Sequence, residues 1–400
     1  MPFPSKIRQG PAHFSGLLLI ILVFLHCLNC WPTDARASGG TLTIGVLLDL
    51  SGPGSANGAA AFKAVRLAAE EVNIQGGIKG KQVQIAVFDT KGQKELLLSG
   101  ARRLQHEQKA RVLLGPTVPE NILVLRSYAE SGKIPLILIQ GVEPLLKFTG
   151  LKTDWTFSTT LNFDAELKRL FSYFRKRHYE DLGALFNNDP SARKIALWIR
   201  GYAPEYSLKI SCLGSFNPNR EDLVLKLGHI SRCEPDIAIL WADWPVAALV
   251  QSNLPHIEVP VALSHQVFFS TPSALALPVG SLIYMAIPPV LYWEAVPRSS
   301  PSYFIARRFV ESWGPEFLNM TPEQKLAAGQ AWDGLRMACR AMSISQGLGH
   351  KAIRQSLEEK VAPFAGVTGL FSPDKRDHSR LSARSLLLLR CTGSRWSLIQ

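Results

Sequence analysis

The sequence contains few charged residues and few cysteines for its length. Only 19% of its 400 residues are charged and 46% are hydrophobic, which excludes intrinsic disorder as the main state. Six cysteines are too few for a disulfide-dense scaffold. Motifs for hydrolase, metalloprotease and nucleotide chemistry (G-x-S-x-G, H-E-x-x-H, G-x4-G-K-S/T) are also missing. The length indicates two or three folded domains, and the missing motifs predict that the protein is not an enzyme.

Long hydrophobic runs are missing too, apart from a short one near the N-terminus. Lys6 and Arg8 precede the apolar run Leu17–Leu25, which is about half of the ~20 residues that a membrane-spanning helix needs. A helix-breaking proline and a small-x-small triplet ending at Ala37 follow it. This order is typical of a secretory signal peptide, predicted over 1–37 with cleavage near Ala37. We therefore expect a soluble, exported protein.

Cys27 and Cys30 leave lipid attachment open as an alternative for this N-terminal segment. A lipoprotein site normally has small residues before the cysteine. Here Leu25-His26 precede the first cysteine and Leu28-Asn29 precede the second. Because these side chains are large or polar, cleavage near Ala37 is the preferred interpretation.

The positive charge is spread along the sequence. The formal net charge of +12 becomes +10 when Lys6, Arg8, Asp34 and Arg36 leave with the signal peptide. No run of five or more basic residues is present, which favours a solvated basic surface over a nucleic-acid groove. We therefore predict no nucleic-acid partner.

Four cysteines remain after the predicted signal peptide, namely Cys212, Cys233, Cys339 and Cys391. None has the spacing of metal ligands, and no cofactor is expected. An oxidising compartment permits disulfides, but their connectivity stays open at this stage. Cys212 ends one predicted strand and Cys233 precedes the next parallel strand. We therefore expect these two at opposite edges of a sheet and predict no bridge between them.

Strands and helices alternate along the chain in two consecutive series. The first runs from a strand at 41–50 and a helix at 58–73 to a strand at 134–139. The second runs from a helix at 164–176 to a strand at 259–263. The strands are continuously apolar, as is typical of parallel strands covered by helices on both faces. The sequence therefore predicts an α/β protein with two doubly wound parallel-sheet units.

The remaining third of the chain continues with helices and ends in a hairpin. Thr321 and Gln324 have the spacing of a capping box, which predicts the start of a long helix. The other predicted elements are a strand at 281–287, helices at 302–313 and 351–360, and paired strands at 386–389 and 396–399.

A glycine-rich turn follows the first strand, where a dinucleotide fingerprint would lie. The spacing of Gly52, Gly54 and Gly58 is one residue too long, and Asp89 lies roughly thirty residues on instead of about twenty. These departures count against a dehydrogenase. The preferred interpretation is a tight turn whose following helix offers N–H groups to an anionic ligand group.

The most distinctive motifs lie in the first third of the chain. In order they are Ile44-Gly45, Leu50-Ser51-Gly52-Pro53, Ala68-Ala69-Glu70-Glu71-Val72-Asn73 and Gly76-Gly77-Ile78-Lys79-Gly80. This part of the sequence resembles the solute-binding proteins of ABC importers, in the Leu/Ile/Val-binding branch of the type I periplasmic fold. A weaker likeness extends through Pro235-Asp236-Ile237-Ala238-Ile239 to Gly366-Val367-Thr368-Gly369-Leu370-Phe371.

The resemblance implies two α/β lobes joined by a hinge of three crossings, with a ligand clamped between the lobes when the hinge closes. Lobe 1 would comprise 41–158 and a return segment at 288–363. Lobe 2 would comprise 159–286 and the C-terminal segment 365–400. The crossings would fall near 157–161, 284–289 and 363–368.

The same resemblance places the ligand at the loops that follow the strands. The predicted ligand-binding residues are Ser55, Asn57, Thr117, Val118, Gln140, Gly141, Asp189, Trp244 and His265. Thr117 begins the segment where relatives bind an amino-acid carboxylate, but Pro119 removes an N–H donor there and Glu120 adds negative charge. Gln140 and Gly141 stand where relatives bind the amino group. The departures at these positions count against an α-amino-acid ligand.

Aromatic residues are the other candidates for ligand contacts. Trp244, together with Trp241 and Trp155, could stack on an apolar, aromatic or cationic ligand, with core packing as the alternative. His265 could donate a hydrogen bond to a ligand or could simply be hydrogen-bonded within its loop.

The resemblance and the predicted signal peptide together suggest one main function. The protein would be a monomeric solute-binding protein of the periplasm that delivers a small amino-acid-like or other organic molecule to an inner-membrane ABC permease. A ligand-sensing module of the same fold, coupled to a partner protein, is the alternative. A third possibility is an interaction scaffold that binds no small molecule.

Overall fold

The computed structural model describes residues 39–140, 153–161, 163–188, 192–268, 278, 280–392 and 395–399. The predicted signal peptide (1–37) lies outside these residues, as do Gly141 and Asp189 of the predicted binding site. In the described part of the chain, no helix combines the length and the apolar character that crossing a membrane requires.

The described elements alternate in the order that the sequence predicts. The strands are β1 (Gly39–Leu48), β2 (Lys81–Asp89), β3 (Val112–Leu114), β4 (Leu136–Leu138), β5 (Thr156–Ser158), β6 (Asp181–Asn187), β7 (Lys209–Phe216), β8 (Ile237–Trp241), β9 (Val261–Leu263), β10 (Leu282–Ile287), β11 (Phe364–Ala365), β12 (Leu370–Phe371), β13 (Leu387–Thr392) and β14 (Arg395–Leu398). The α-helices are α1 (Ser55–Ile74), α2 (Lys94–Arg102), α3 (Ile122–Gly132), α4 (Phe163–Lys176), α5 (Ala192–Tyr202), α6 (Arg220–Arg232), α7 (Ala247–Asn253), α8 (Tyr303–Trp313), α9 (Pro322–Ile344) and α10 (His350–Glu359).

The first sheet is entirely parallel, with the strand order β2-β1-β3-β4-β5. Ile44 and Val46 of strand β1, which lies between β2 and β3, are fully buried, because helices cover both faces of the sheet. Helix α1 buries a stripe of small residues (Gly58, Ala60, Ala61, Ala64, Ala68 and Ala69). These small side chains let α9 pack closely along α1, so the chain after β10 returns to the first lobe.

The second sheet repeats this order and adds a hairpin at one edge. Its order is β14-β13-β10-β9-β8-β6-β7, in which β6 to β10 are parallel and the β13–β14 hairpin is antiparallel. Phe171 of α4 and Trp198 of α5 pack on one face, while Leu227 of α6 and Val250 of α7 pack on the other. The prediction of two doubly wound lobes is therefore confirmed. The boundaries of the lobes stay a prediction.

Helix α9 contacts all three segments that carry the chain between the lobes. In the first, Thr159 donates its hydroxyl hydrogen to the Gln330 carbonyl, with 2.8 Å between the oxygens. At the second, Gly329 of α9 packs against Val290, so that a Cβ added to this glycine would lie 3.1 Å from Val290 Cγ2. In the third, the N–H groups of Val367 and Thr368 donate to the Asp333 carboxylate at 2.8 and 2.9 Å.

Strand β7 is longer than the sequence predicts, and this overturns the expectation for two cysteines. The sequence predicts that this strand ends at Cys212, but it runs to Phe216, so Cys212 lies in its first half and not at its end. The Cys212 and Cys233 thiols lie close enough to interact, at the end of the sheet where β8 begins. The expectation that these two cysteines lie at opposite edges was therefore wrong.

Candidate functional site

The turn between β1 and α1 is built around a buried carboxylate. Asp49 is fully buried, and its carboxylate accepts hydrogen bonds from Gly52 N at 2.6 Å and Gly54 N at 2.7 Å. A Cβ added to Gly52 would lie 2.4 Å from Asp49 Oδ1, so this position requires glycine. Because an internal anion already occupies the turn, it is a poor place for the anionic ligand group expected from the sequence.

Thr117 and Val118 support this same turn from the end of β3. The Thr117 hydroxyl oxygen accepts a hydrogen bond from Asp49 N at 2.9 Å, and the residue is only 3% exposed. Val118 Cγ2 lies 3.4 Å from the position of a Cβ on Gly54. The structure thus brings together the predicted residues Ser55, Thr117 and Val118. As ligand contacts they remain a prediction.

Asn57 and Gln140 lie at the same edge of the first sheet but have different surroundings. Asn57 Nδ2 donates to Glu323 Oε1 at 2.8 Å, which links the N-terminal ends of α1 and α9. Gln140 is half-buried and follows β4. Asn57 therefore already has a partner within the first lobe, whereas Gln140 directly precedes residues outside the described part of the chain.

His265 forms a buried pair with Glu166 in the second lobe. His265 follows β9 and is 2% exposed, and Glu166 lies in the first turn of α4 with no exposed surface. Glu166 Oε1 accepts from His265 N at 2.7 Å, and Oε2 lies 2.9 Å from His265 Nδ1. This carboxylate fixes the backbone and the ring of His265 together. The ring is therefore positioned rigidly below the carboxyl end of β9.

Aromatic rings surround this pair. The Trp244 ring meets the His265 ring edge-to-face with centroids 5.8 Å apart, and Phe163 lies at the same distance on another side. Phe163 also packs edge-to-face on Trp241, with centroids 5.3 Å apart. Trp241 is buried, whereas Trp244 is half-buried. Trp244 therefore combines a rigid support with an accessible ring surface.

Polar side chains complete this edge of the second sheet. Asn187, the last residue of β6, donates from Nδ2 to Asp243 Oδ1 at 3.2 Å. Asp243 lies two residues beyond the end of β8 and is half-buried. The accessible indole of Trp244 is suited to a ligand with a cationic or aromatic part. Within the described residues, no group of three or more His, Cys, Asp or Glu side chains could hold a metal ion.

Trp155 differs from Trp244 in its position. It lies at the amino end of β5, its N–H donates to Glu130 Oε1 at 3.0 Å, and the Arg354 guanidinium carbon lies 5.5 Å from its ring centroid. Trp155 is therefore a packing residue of the first lobe.

A polar cavity of about 580 Å³ lies beside α4, where the segment after β12 passes it. Lys168 Nζ lies 2.9 Å from Asp164 Oδ2 and 4.5 Å from the Tyr202 ring centroid at its wall. Burial opposes the charge of Lys168, but these partners outweigh it and raise the pKa of the ammonium group. Because the charged side chains in the wall of this cavity already pair with one another, the cavity is a weaker candidate for the ligand site than the carboxyl ends of the strands.

The sequence-based prediction missed three residues that hold or border the strand ends and the hinge, namely Asn187, Glu166 and Asp333. Asn187 could have been found, because it ends an apolar predicted strand where ligand-binding loops begin. Glu166 and Asp333 gave no signal, since their partners lie far along the chain. Burial raises the pKa of Asp333 to about 6, although hydrogen bonds from Thr368 and Val367 and the charge of Arg336 oppose this.

The fold has two doubly wound lobes joined by three crossings, with polar side chains at the ends of the strands. These features are those of a hinged, two-lobed binding protein. The family model described as periplasmic binding protein matches residues 41–390, so the chain belongs to the periplasmic binding protein family. The members of this family are binding proteins and not enzymes, in agreement with the prediction from the missing motifs. No curated protein matches the sequence.

Solved structures share the fold at low sequence identity. An extracellular ligand-binding receptor from Rhodopseudomonas palustris HaA2 is 20% identical, with 90% of this chain and 100% of that chain covered and a TM-score of 0.68. An ABC transporter substrate-binding protein from Sphaerobacter thermophilus is 17% identical, with coverage of 90% and 96% and a TM-score of 0.69. The branched-chain amino acid transporter substrate binding protein LivJ from Streptococcus pneumoniae, in complex with isoleucine, is 19% identical, with coverage of 90% and 99% and a TM-score of 0.63.

Proposed function

We propose that this periplasmic binding protein captures a small organic ligand between its lobes and delivers it to an inner-membrane ABC permease. The observation that carries this proposal is the group of side chains at the carboxyl ends of the second sheet. Trp244, held against the His265–Glu166 pair, offers a half-buried ring beside Asp243. Ligands of α/β proteins bind at such strand ends.

The chemistry of both lobes favours a ligand with an aromatic or cationic part over a simple α-amino acid. In the first lobe, the turn that would receive a carboxylate holds the Asp49 carboxylate, and Glu120 lies exposed next to it. In the second lobe, Trp244 offers a half-buried ring to an aromatic or cationic group. A free carboxylate on the ligand would meet repulsion at the turn of the first lobe. The isoleucine bound to LivJ therefore does not identify the ligand of this chain.

Replacing Trp244 tests the site directly. The ligand is first identified by mass spectrometry of the molecules released from the natively purified protein, and its affinity is then measured by calorimetry. Trp244→Ala should weaken binding about tenfold or more, ~1.4 kcal/mol, because it removes the accessible ring. Trp155→Ala removes a half-buried tryptophan of the first lobe and is the matched control. Equal affinities for the two variants would contradict the site.

Delivery to a permease is tested separately from binding. Cells lacking the protein should lose uptake of the labelled ligand and regain it with the wild-type chain. If the ligand binds tightly and uptake stays unchanged in the deletion strain, the import role is wrong and the sensing alternative is favoured. If no small molecule binds at all, the scaffold alternative is favoured.

A further inference from the structure

Two half-buried cysteines lie side by side where β7 begins and α6 ends. Cys212 pairs with Gly183 of β6, and a Cβ added to Gly183 would lie 3.4 Å from Cys212 Sγ and 3.3 Å from Ile230 Cγ2. Cys233 caps the C-terminus of α6, and its N–H donates to the Ile230 carbonyl at 3.1 Å. Burial raises the pKa of Cys212, and the two thiols lie close enough for Cys233 to raise this pKa further. Strand, helix end and both sulfur atoms therefore meet at one place.

The other two described cysteines cannot take part in this contact. Cys339 is 4% exposed in the core around α9, and Cys391 is fully buried in β13. Cys212 and Cys233 are both half-buried, so an oxidant reaches them without unfolding of the core. Cys233 Sγ also donates to the His229 carbonyl at 3.4 Å, which holds it at the end of the helix.

We propose that Cys212 and Cys233 form a disulfide bond in the exported protein, which fastens the end of α6 to β7. The oxidant is a thiol–disulfide oxidoreductase of the export compartment, which carries a reactive disulfide of its own. One new S–S bond forms in this chain while the disulfide of the oxidant is broken. Two electrons and two protons pass to the oxidant, which leaves as a dithiol.

The exchange takes two steps. One of the two cysteines loses its proton and attacks the disulfide of the oxidant, which forms a mixed disulfide and releases the first thiolate of the oxidant. The other cysteine then loses its proton and attacks the sulfur of its neighbour in the mixed disulfide, which releases the second thiolate.

Peptide mapping tests this pair directly. The full-length chain is exported to the periplasm, isolated with its thiols blocked, and digested without reduction. Trypsin cleaves after Arg220, Lys226 and Arg232, so the peptides that contain Cys212 and Cys233 stay together only if a disulfide joins them. We expect them as one linked species, separated by reduction, with Cys339 and Cys391 carrying the blocking label.

Two further experiments test the disulfide without relying on ligand binding or on export. The purified reduced protein is incubated with oxidised glutathione, which should yield the same linked peptides. Reduction should lower the melting temperature of the oxidised wild type by several degrees, because the crosslink restricts the unfolded chain. Cys212→Ser and Cys233→Ser are the matched variants, and the reductant should leave their melting temperatures unchanged.

Each result of these experiments either supports or contradicts the disulfide bond. Linked peptides together with a melting shift confined to the wild type support the proposal, whatever ligand the protein binds. Blocking label on both Cys212 and Cys233 in the exported and the glutathione-treated protein would overturn it. Stable glutathione adducts at either cysteine, or a link to a different cysteine, would overturn it as well.

Discussion

The Glu166–His265 pair is the residue-scale feature on which the geometry of the second lobe most depends. Glu166 satisfies both the backbone N–H and the ring of His265, and it has no exposed surface through which water could replace it. His265 in turn supports the ring of Trp244. A change at Glu166 therefore affects both the stability of the lobe and the position of the accessible indole.

Removing this carboxylate should be costly. Glu166→Ala leaves a buried N–H without an acceptor, so we expect a loss of about 2 kcal/mol in the free energy of unfolding. Glu166→Gln keeps one acceptor oxygen for the backbone and should cost clearly less. Urea denaturation of the purified variants gives both values. Wild-type stability in the alanine variant would show that the pair is not required.

Asp333 gives a pH dependence of stability with a defined sign. Its pKa is raised from 3.8 in the unfolded chain to about 6, first of all by burial. Between these values the native state binds more protons than the unfolded state, so this residue makes stability fall as pH rises from about 4 to 6.

Denaturation of the wild type and Asp333→Asn at several pH values measures this contribution. In the variant, the free energy of unfolding should no longer show the decrease with rising pH that Asp333 causes in the wild type. It should also be less stable throughout, because an amide NH2 group then faces the N–H of Val367 or Thr368. If the free energy of unfolding depended on pH in the same way in both proteins, Asp333 would not be the residue responsible.

At the scale of elements, helix α9 is the part of the fold on which the hinge rests. Its start was predicted, because Thr321 and Gln324 cap it reciprocally with N···O distances of 3.2 and 2.9 Å. Its contacts with the three crossings were not predicted, since they join residues far apart in sequence.

The end of β7 was mispredicted for a related reason. Gly214 looks like a turn residue, but pairing with β6 continues to Phe216.

A glycine in the third crossing should be intolerant of even a small side chain. A Cβ on Gly366 would lie 2.3 Å from Asp333 Oδ2, so Gly366→Ala should displace the carboxylate and cost about 1–3 kcal/mol. Gly201→Ala, in a helix with nothing within 4 Å of the added carbon, is the control and should be neutral or stabilising. Thermal denaturation compares the two, and equal melting temperatures would refute the predicted clash.

At the scale of the whole molecule, the two lobes share buried apolar surface. One continuous cluster contains Ile44 and Val46 of the first sheet together with Leu240 and Leu263 of the second. The fold itself was predictable from the sequence, because apolar parallel strands and the motifs around Gly76-Gly77 define it locally. The ligand was not, since the side chains that determine it come from loops at the ends of separate strands.

The shared core predicts that the lobes unfold together. Heating should give one transition, with a calorimetric enthalpy close to the van't Hoff value. Tryptophan fluorescence and far-ultraviolet circular dichroism should report the same midpoint. Two separated transitions would show that each lobe is stable without its neighbour.

Because all three crossings contact one helix of the first lobe, we predict that α9 influences the balance between open and closed forms of the protein. The apparent dissociation constant equals the intrinsic one divided by the fraction of molecules competent to bind. A substitution in α9 that shifts this fraction would therefore change the affinity for every ligand by the same factor. Such changes would adjust the ligand concentration at which the protein responds and leave its order of preference among ligands intact.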